Sequence, residues 1–219
     1  MTQQRLKQSN DTSRRARRIH RRQQDILRVA ARLFAERGYE RTTLEKIADE
    51  LGLSKPSLYY YVKSKEDVLA HIFQEIFQSI LERVQMDVSP DMSPQERLHH
   101  LIIAYVTHAC IYPEGRILFL YESYLLIICN PELLDLRDRY QRQVEDAISE
   151  GIQQRIFRVT DAKLATLAMV GALHAIPLWY VPEGPLSPRE IGEYYAGLLI
   201  GGLVTPLDLS SQGPSSPSA

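Results

Sequence analysis

Apolar residues recur along this chain with the period of a helix. Ile26, Val29, Ala30, Leu33 and Phe34 follow the i, i+3, i+4, i+7, i+8 spacing of one helix face, and Gly38 stands where a C-terminal cap belongs. Thr42-Thr43-Leu44-Glu45 reads as a capping box, with Thr42 as the cap; Leu44, Ile47, Ala48 and Leu51 continue it as a short helix closed by Gly52. Ser54 caps a third helix, so the order helix, glycine turn, helix predicts a helix-turn-helix. Ser64 to Asp67 opens a long helix whose apolar residues pair four apart from Val68 to Val84. Further helices are predicted at about 94–111, 114–129, 131–156, 161–180 and 188–204 from their Pro, Gly, Asp and Ser boundary signals. No strand alternation of useful length is present, so the predicted fold is all-α.

Charge divides the chain. Residues 1–65 hold 16 Lys and Arg against 7 Asp and Glu, a balance of +9, whereas residues 66–219 hold 10 against 20, a balance of −10. A basic front joined to an acidic remainder is the layout of a polyanion-binding module attached to something else. The predicted organisation is a basic, disordered arm (1–22), a helix-turn-helix domain (23–67), a larger helical body (68–204) and a disordered, low-complexity tail (205–219).

The segment "LSKPSLYYYVKSKED" puts three tyrosines side by side on a short helix. At 100° per residue, with Leu58 at 0° and Val62 at about 40° on the buried side, Tyr60 falls at about 200°, flanked outward by Pro56 and Ser57. Tyr59 and Tyr61 fall at the borders. An outward face of Pro, Ser and Tyr is poorly suited to solvent but suited to a DNA groove, where hydroxyls bond phosphates or base edges and rings meet thymine methyls. Lys55, Lys63 and Lys65 bracket it as phosphate contacts.

The run "ILRVAARLFAERGYERTTLEKIADELGLSKPSLYYYVKSKEDVL", residues 26–69, resembles the DNA-binding domain of the TetR family of bacterial transcriptional regulators. The likeness rests on Ala30, Phe34, Gly38, Tyr39, Thr42, Thr43, Ile47, Ala48, Gly52, Ser54, Leu58, Tyr59, Lys65 and Glu66. It implies an all-helical homodimer with a three-helix DNA-binding head and a larger body that dimerises and binds ligand. It also implies backbone contacts from Thr42, Thr43, Tyr59, Tyr60 and Lys65, and base reading by Lys55, Pro56, Ser57 and Tyr61. Many members have Gly or Ala where this chain has Pro56, and His where it has Tyr61, so no relative's operator sequence transfers. The six arginines between Arg14 and Arg22 either reach along the duplex or form a solvated tail.

In the family the last two helices form a four-helix dimer interface; here those are 161–180 and 188–204, where Ala168, Gly171, Ala172, Ala175, Gly197 and Gly201 permit close approach. A dimer spaces two reading helices for a palindromic operator. Candidate ligand-pocket residues are Tyr105, His108, Phe119, Tyr121, Tyr124, His174 and Trp179, the mixture of apolar body and polar handle that pockets use. The stretch "GALHAIPLWYVPEGPLSPREIGEYYAGLLIGGL" is similar to that of members sensing acyl-CoA or lipid-degradation intermediates, which ranks those ligands first.

Other chemistry is thin. His99 and His100 diverge by about 100° on a helix, and His100 and His108 lie two turns apart, so no metal site is expected. No phosphate loop, serine elbow or catalytic carboxylate pair is present, and neither an enzyme nor a cofactor is expected. Cys110 and Cys129 lie in apolar runs, as buried thiols of a reducing compartment do. The polar N-terminus does not read as a secretory signal, and the uncharged run Leu164 to Val181 reads as a buried, closely packed helix rather than a membrane span. The expected protein is a cytoplasmic, ligand-responsive repressor with the helix from Ser64 as lever; the alternative is a DNA-binding or architectural protein without an effector.

Overall fold

The computed structural model describes residues 2–111 and 131–204, with side chains described from Arg17 onward except at Ile111. The helix expected at 114–129, with Phe119, Tyr121, Tyr124 and Cys129, and the tail 205–219 lie outside the described residues. Among the described residues there are nine helices and no strand: α1 (Thr2–Arg37), α2 (Leu44–Glu50), α3 (Lys55–Tyr59), α4 (Lys65–Asp87), α5 (Pro94–Ile111), α6 (Pro131–Gln153), α7 (Ala162–His174), α8 (Ile176–Trp179) and α9 (Pro188–Val204). They group into two compact units, the first from residues 2–79, 109–111 and 131–136, the second from 80–108 and 137–204. The division between these units falls inside α4.

The first unit is built on the predicted apolar positions. Ile26, Ala30, Leu33 and Phe34 of α1 are buried with Leu44, Ile47 and Ala48 of α2, Leu58 of α3 and Val68, Leu69, Ile72 and Phe73 of α4. Each large side chain so removed from water contributes about 1.5–3 kcal/mol. Gly38 ends α1 at φ 85°, its N–H donating to the Phe34 carbonyl at 3.0 Å, a left-handed cap that a side chain would strain. Arg32 of α1 donates to Glu50 of α2 at 2.5 Å.

In the second unit Leu98, Leu101, Ile102, Tyr105 and Val106 of α5 are buried with Tyr140, Val144, Ala147 and Ile148 of α6, Met169 and Leu173 of α7 and Ile191 and Ala196 of α9. Gly192 lets α9 close on α5, since a Cβ there would come within 2.9 Å of Ile103 Cδ1. Beyond α6, Arg155 takes φ 59° and the Ile156 and Phe157 amides both donate to the Gly151 carbonyl, folding Phe157 onto a position where any Cβ would collide with its ring. The Arg158 amide then donates to the Leu203 carbonyl at 2.8 Å, tying this turn to the end of α9.

Three expectations are corrected. The arm expected to be disordered is the first part of α1, which starts at Thr2; Arg, Gln and Ala are good helix formers, and residues 2–37 contain no Gly or Pro to stop a helix propagating back from the packed turns. The helix expected over 161–180 breaks at Ala175, where Pro177 starts the four-residue α8. Residues 162–179 are apolar enough for a span by composition, but the 13 residues of α7 reach only about 20 Å, short of a bilayer core. Nor is α7 buried all round: Thr166, Met169, Leu173 and His174 face the core, while Leu164, Leu167, Ala168 and Gly171 are exposed.

Candidate nucleic-acid interface

The cap of α2 is Thr43, whose hydroxyl accepts from the Lys46 amide at 3.4 Å. Thr42 is fully buried instead, its hydroxyl hydrogen directed between the carbonyls of Gly38 (2.9 Å) and Leu33 (3.2 Å). This corrects both its expected capping role and its expected contact with DNA: it locks the turn after α1 and has no surface to offer. Ser54 caps α3, accepting from the Ser57 amide, and Pro56 sits in the first turn, where its missing N–H costs nothing.

Leu58 and Val62 are buried, Tyr60 is 64% exposed, Pro56, Ser57 and Tyr59 are exposed, and Tyr61 is half-buried. Helix α3 itself ends at Tyr59, yet the Tyr60 amide still bonds the Pro56 carbonyl and the Val62 amide the Leu58 carbonyl, so helical spacing persists to Val62. The angular order expected for the three rings is therefore the observed one. The Tyr60 and Tyr61 rings meet edge to face, 5.1 Å between centroids, which fixes Tyr60 in its outward position.

The lysines differ. Lys55 pairs with Glu45 of α2 at 2.5 Å and lies 5.9 Å above the Tyr59 ring. The Glu45 carboxyl is lowered to about 2, chiefly by Lys55 and then by its own amide and the Thr43 hydroxyl, so the pair is ionised at neutral pH. Lys63 is exposed and its amide donates to Asp67 at 2.8 Å, while the Ser64 hydroxyl accepts from the Asp67 amide, completing a cap at the start of α4. Lys65 turns inward: Nζ donates to the Tyr39 carbonyl at 2.9 Å and lies 4.1 Å over the Tyr39 ring, whose hydroxyl donates to Glu66. Sequence reasoning missed Glu45 as the partner of Lys55, since nothing in their spacing puts α2 and α3 in register.

In the second unit Tyr105 is fully buried, 5.2 Å from the Tyr140 ring and 5.5 Å from His174, which is also buried. The Tyr140 hydroxyl donates to the Leu101 carbonyl at 3.1 Å, and burial holds this phenol far above its ordinary pKa, a neutral donor at any working pH. Tyr140 was legible in the sequence, one apolar turn before Val144 and Ile148 on the inward stripe of α6. His108 is half-buried with Nδ1 3.0 Å from the Ala104 carbonyl, and Trp179 stacks half-exposed on Tyr195 at 6.5 Å. Burial pushes the Cys110 thiol up to about 12, so it is unreactive. A polar cleft of about 280 Å³ is lined by Arg137, Asp138, Gln141, Arg142, Glu145 and Lys163, with Arg137 paired to Asp138 and Lys163 to Glu145.

Residues 26–72 match the model of the family described as bacterial regulatory proteins, tetR family, and residues 91–203 that described as tetracyclin repressor-like, C-terminal domain. The chain is similar to the HTH-type transcriptional repressor KstR2 of Mycobacterium tuberculosis, with 27% identity over 84% of this chain and 94% of that protein. The structure of that ketosteroid transcriptional regulator superposes with a TM-score of 0.75. A TetR/AcrR-family regulator from Thermobifida fusca is 34% identical over 83% of this chain and 97% of its own, with a TM-score of 0.60. AibR, solved in complex with isovaleryl coenzyme A and operator DNA, is 27% identical over 84% of this chain and 99% of its own, with a TM-score of 0.67.

Proposed function

The chain belongs to the TetR family of helix-turn-helix transcriptional regulators, and we propose that it is a cytoplasmic, dimeric repressor that releases a palindromic operator on binding a coenzyme A thioester. The observation that carries the DNA-binding part is the outer face of α3, where Pro56, Ser57, Tyr59 and Tyr60 stand exposed beside Lys55 while Leu58 and Val62 anchor the helix from beneath. Ser57 and the tyrosines read bases and phosphates, Thr43 offers its exposed edge to the backbone, and Lys55 exchanges Glu45 for a phosphate. Tyr61 supports Tyr60 as much as it reads, and Lys65 aligns the α4 start through Tyr39 while lying near the duplex.

Residues 23–67 serve as the DNA-binding domain and 68–204 as the regulatory and dimerising one. The exposed apolar residues of the packed helices α7 and α9, with Leu164, Leu167, Gly171, Tyr194, Leu198 and Gly201, support dimerisation, since exposed apolar surface of this kind marks an interface. The effector class draws its support from AibR, solved with isovaleryl coenzyme A, and from KstR2, a ketosteroid regulator. Tyr105 and His174, buried ring against ring, and His108 and Trp179 are the lining candidates for the acyl part. Helix α4 supplies residues 65–79 to the first unit and 80–87 to the second, so it is the element that couples ligand to DNA.

The ligand must bind the released state more tightly than the operator-bound one, and family-scale couplings of about 1–3 kcal/mol lower operator affinity by about 5–150-fold. The test is fluorescence anisotropy of the full-length protein on an operator selected from random duplexes, titrated with short- and long-chain acyl-CoA thioesters. Displacement by an acyl thioester but not by free coenzyme A is expected. Saturable binding of the thioester with no change in operator affinity would sink the switch.

A further inference from the structure

The matched DNA-binding region begins at residue 26, whereas α1 begins at Thr2. The extra turns are basic: residues 2–25 contain eight Lys and Arg against two Asp. They also continue the packing register of the helix. With Ile26 at 0°, the buried residues Ala30, Leu33 and Phe34 lie at about 40°, 340° and 80°, and half-buried Ile19 falls at about 20° on the same side. The opposite side carries arginines. Arg17, Arg28, Arg21 and Arg18 fall at about 180°, 200°, 220° and 280°, and all four are exposed. Between Arg17 and Arg28, Asp25 is the one carboxylate in the sequence. Further along the same face Arg32 is already engaged by Glu36 and Glu50, but Arg18 and Arg21 form no ion pair with a described residue.

We propose that this outer face of α1, through Arg17, Arg18 and Arg21, binds the phosphates of duplex DNA flanking each operator half-site and so lengthens the footprint beyond the part contacted by α2 and α3. The inference rests on the DNA-binding reading above. Charge and continuity commit the face to DNA: a row of exposed guanidiniums on the helix whose later turns form the core of the helix-turn-helix unit complements a polyanion already held by that unit. Guanidinium forks on phosphates carry no sequence information, so the stripe adds affinity and salt sensitivity without adding specificity.

Two duplexes carrying the same selected operator decide it, one trimmed to the half-sites and one extended by a helical turn on either side. Full-length protein and the R17Q/R18Q/R21Q variant are titrated on both across a salt series, with far-UV circular dichroism to verify that α1 persists, Gln being a good helix former. Each lost phosphate contact removes about 0.9 from the slope of log affinity against log salt, so on the long duplex the triple variant is expected to bind at least about tenfold more weakly with a slope shallower by about 2–3 per bound subunit. On the trimmed duplex the two proteins should coincide, and R17K/R18K/R21K should keep the wild-type slope on the long one. Flank-independent binding by the wild type, or a weaker variant with an unchanged slope, overturns the proposal. Failure of the wild type to hold either duplex would instead strike the DNA-binding reading itself.

Discussion

Two helical surfaces of this protein expose tyrosines, and they are exposed for opposite reasons. Tyr60 of the first unit is 64% accessible and stands with Ser57, Pro56 and a lysine, a face of hydroxyls and charge. Tyr194 of the second is 71% accessible and stands with Gly197, Leu198 and Gly201 on α9, which packs on α7, the helix that exposes Leu164, Leu167 and Gly171. Neither surface is a failed core, since each helix also buries a face of its own. What separates them is company: cations and hydroxyls suit a hydrated polyanion, whereas leucines between glycines suit another apolar helix at close range.

The largest expected effect comes from charging the apolar face. L167D/L198D should convert the dimer to a monomer by analytical ultracentrifugation and lower operator affinity by at least about 100-fold, because two half-sites are no longer read together. A variant that stays dimeric on DNA would assign that face to something else. Beneath the polar face, Leu58→Ala should cost about 2–5 kcal/mol of stability in denaturant unfolding. Its outward neighbour behaves differently: Tyr60→Ala should leave the unfolding midpoint in place and cost about 1–3 kcal/mol of operator binding. Gly201 faces open space within its own chain, so Gly201→Val should be silent in a monomer and weaken the dimer by about 1–3 kcal/mol through overpacking against the partner. Equal dimer affinity would mean that the helices do not approach there.

Two smaller changes sharpen the DNA side. Thr42→Val removes a buried hydroxyl with two carbonyl partners and should cost about 1–3 kcal/mol of stability with no change in the operator affinity of the folded protein. Glu45→Gln should free Lys55 for phosphate and raise operator affinity a few-fold with a steeper salt slope, the modest effect expected of an exposed pair.

Local chemistry made much of this legible before any coordinates. The start of α9 follows from Ser187, Pro188 and Glu190, with the Ser187 hydroxyl and Glu190 carboxylate satisfying each other and the neighbouring amides. The rings of α3 sort by a 100° step because Leu58 and Val62 leave one inward direction. Where neighbours in space decide, sequence was silent. Thr42 and Thr43 have the same capping chemistry, and the Leu33 and Gly38 carbonyls choose between them. Lys65 is a cation in either reading, but only the packed structure shows the Tyr39 carbonyl beside it. The first turns of α1 have the composition of a solvated tail and the propensity of a helix, and in α7 an apolar sequence on every side hides which face the single chain buries.

Helix α3 has five residues, far fewer than an isolated helix needs to hold its shape in water. Its form is borrowed from Ser54 at one end and from Leu58 and Val62 below. Positions 56, 57 and 60 therefore behave as a type set in a fixed frame: the letters can be exchanged one at a time while the frame keeps its place. Substitutions at these exposed positions leave the buried supports of the helix in place, so this surface can change without the fold having to be secured again.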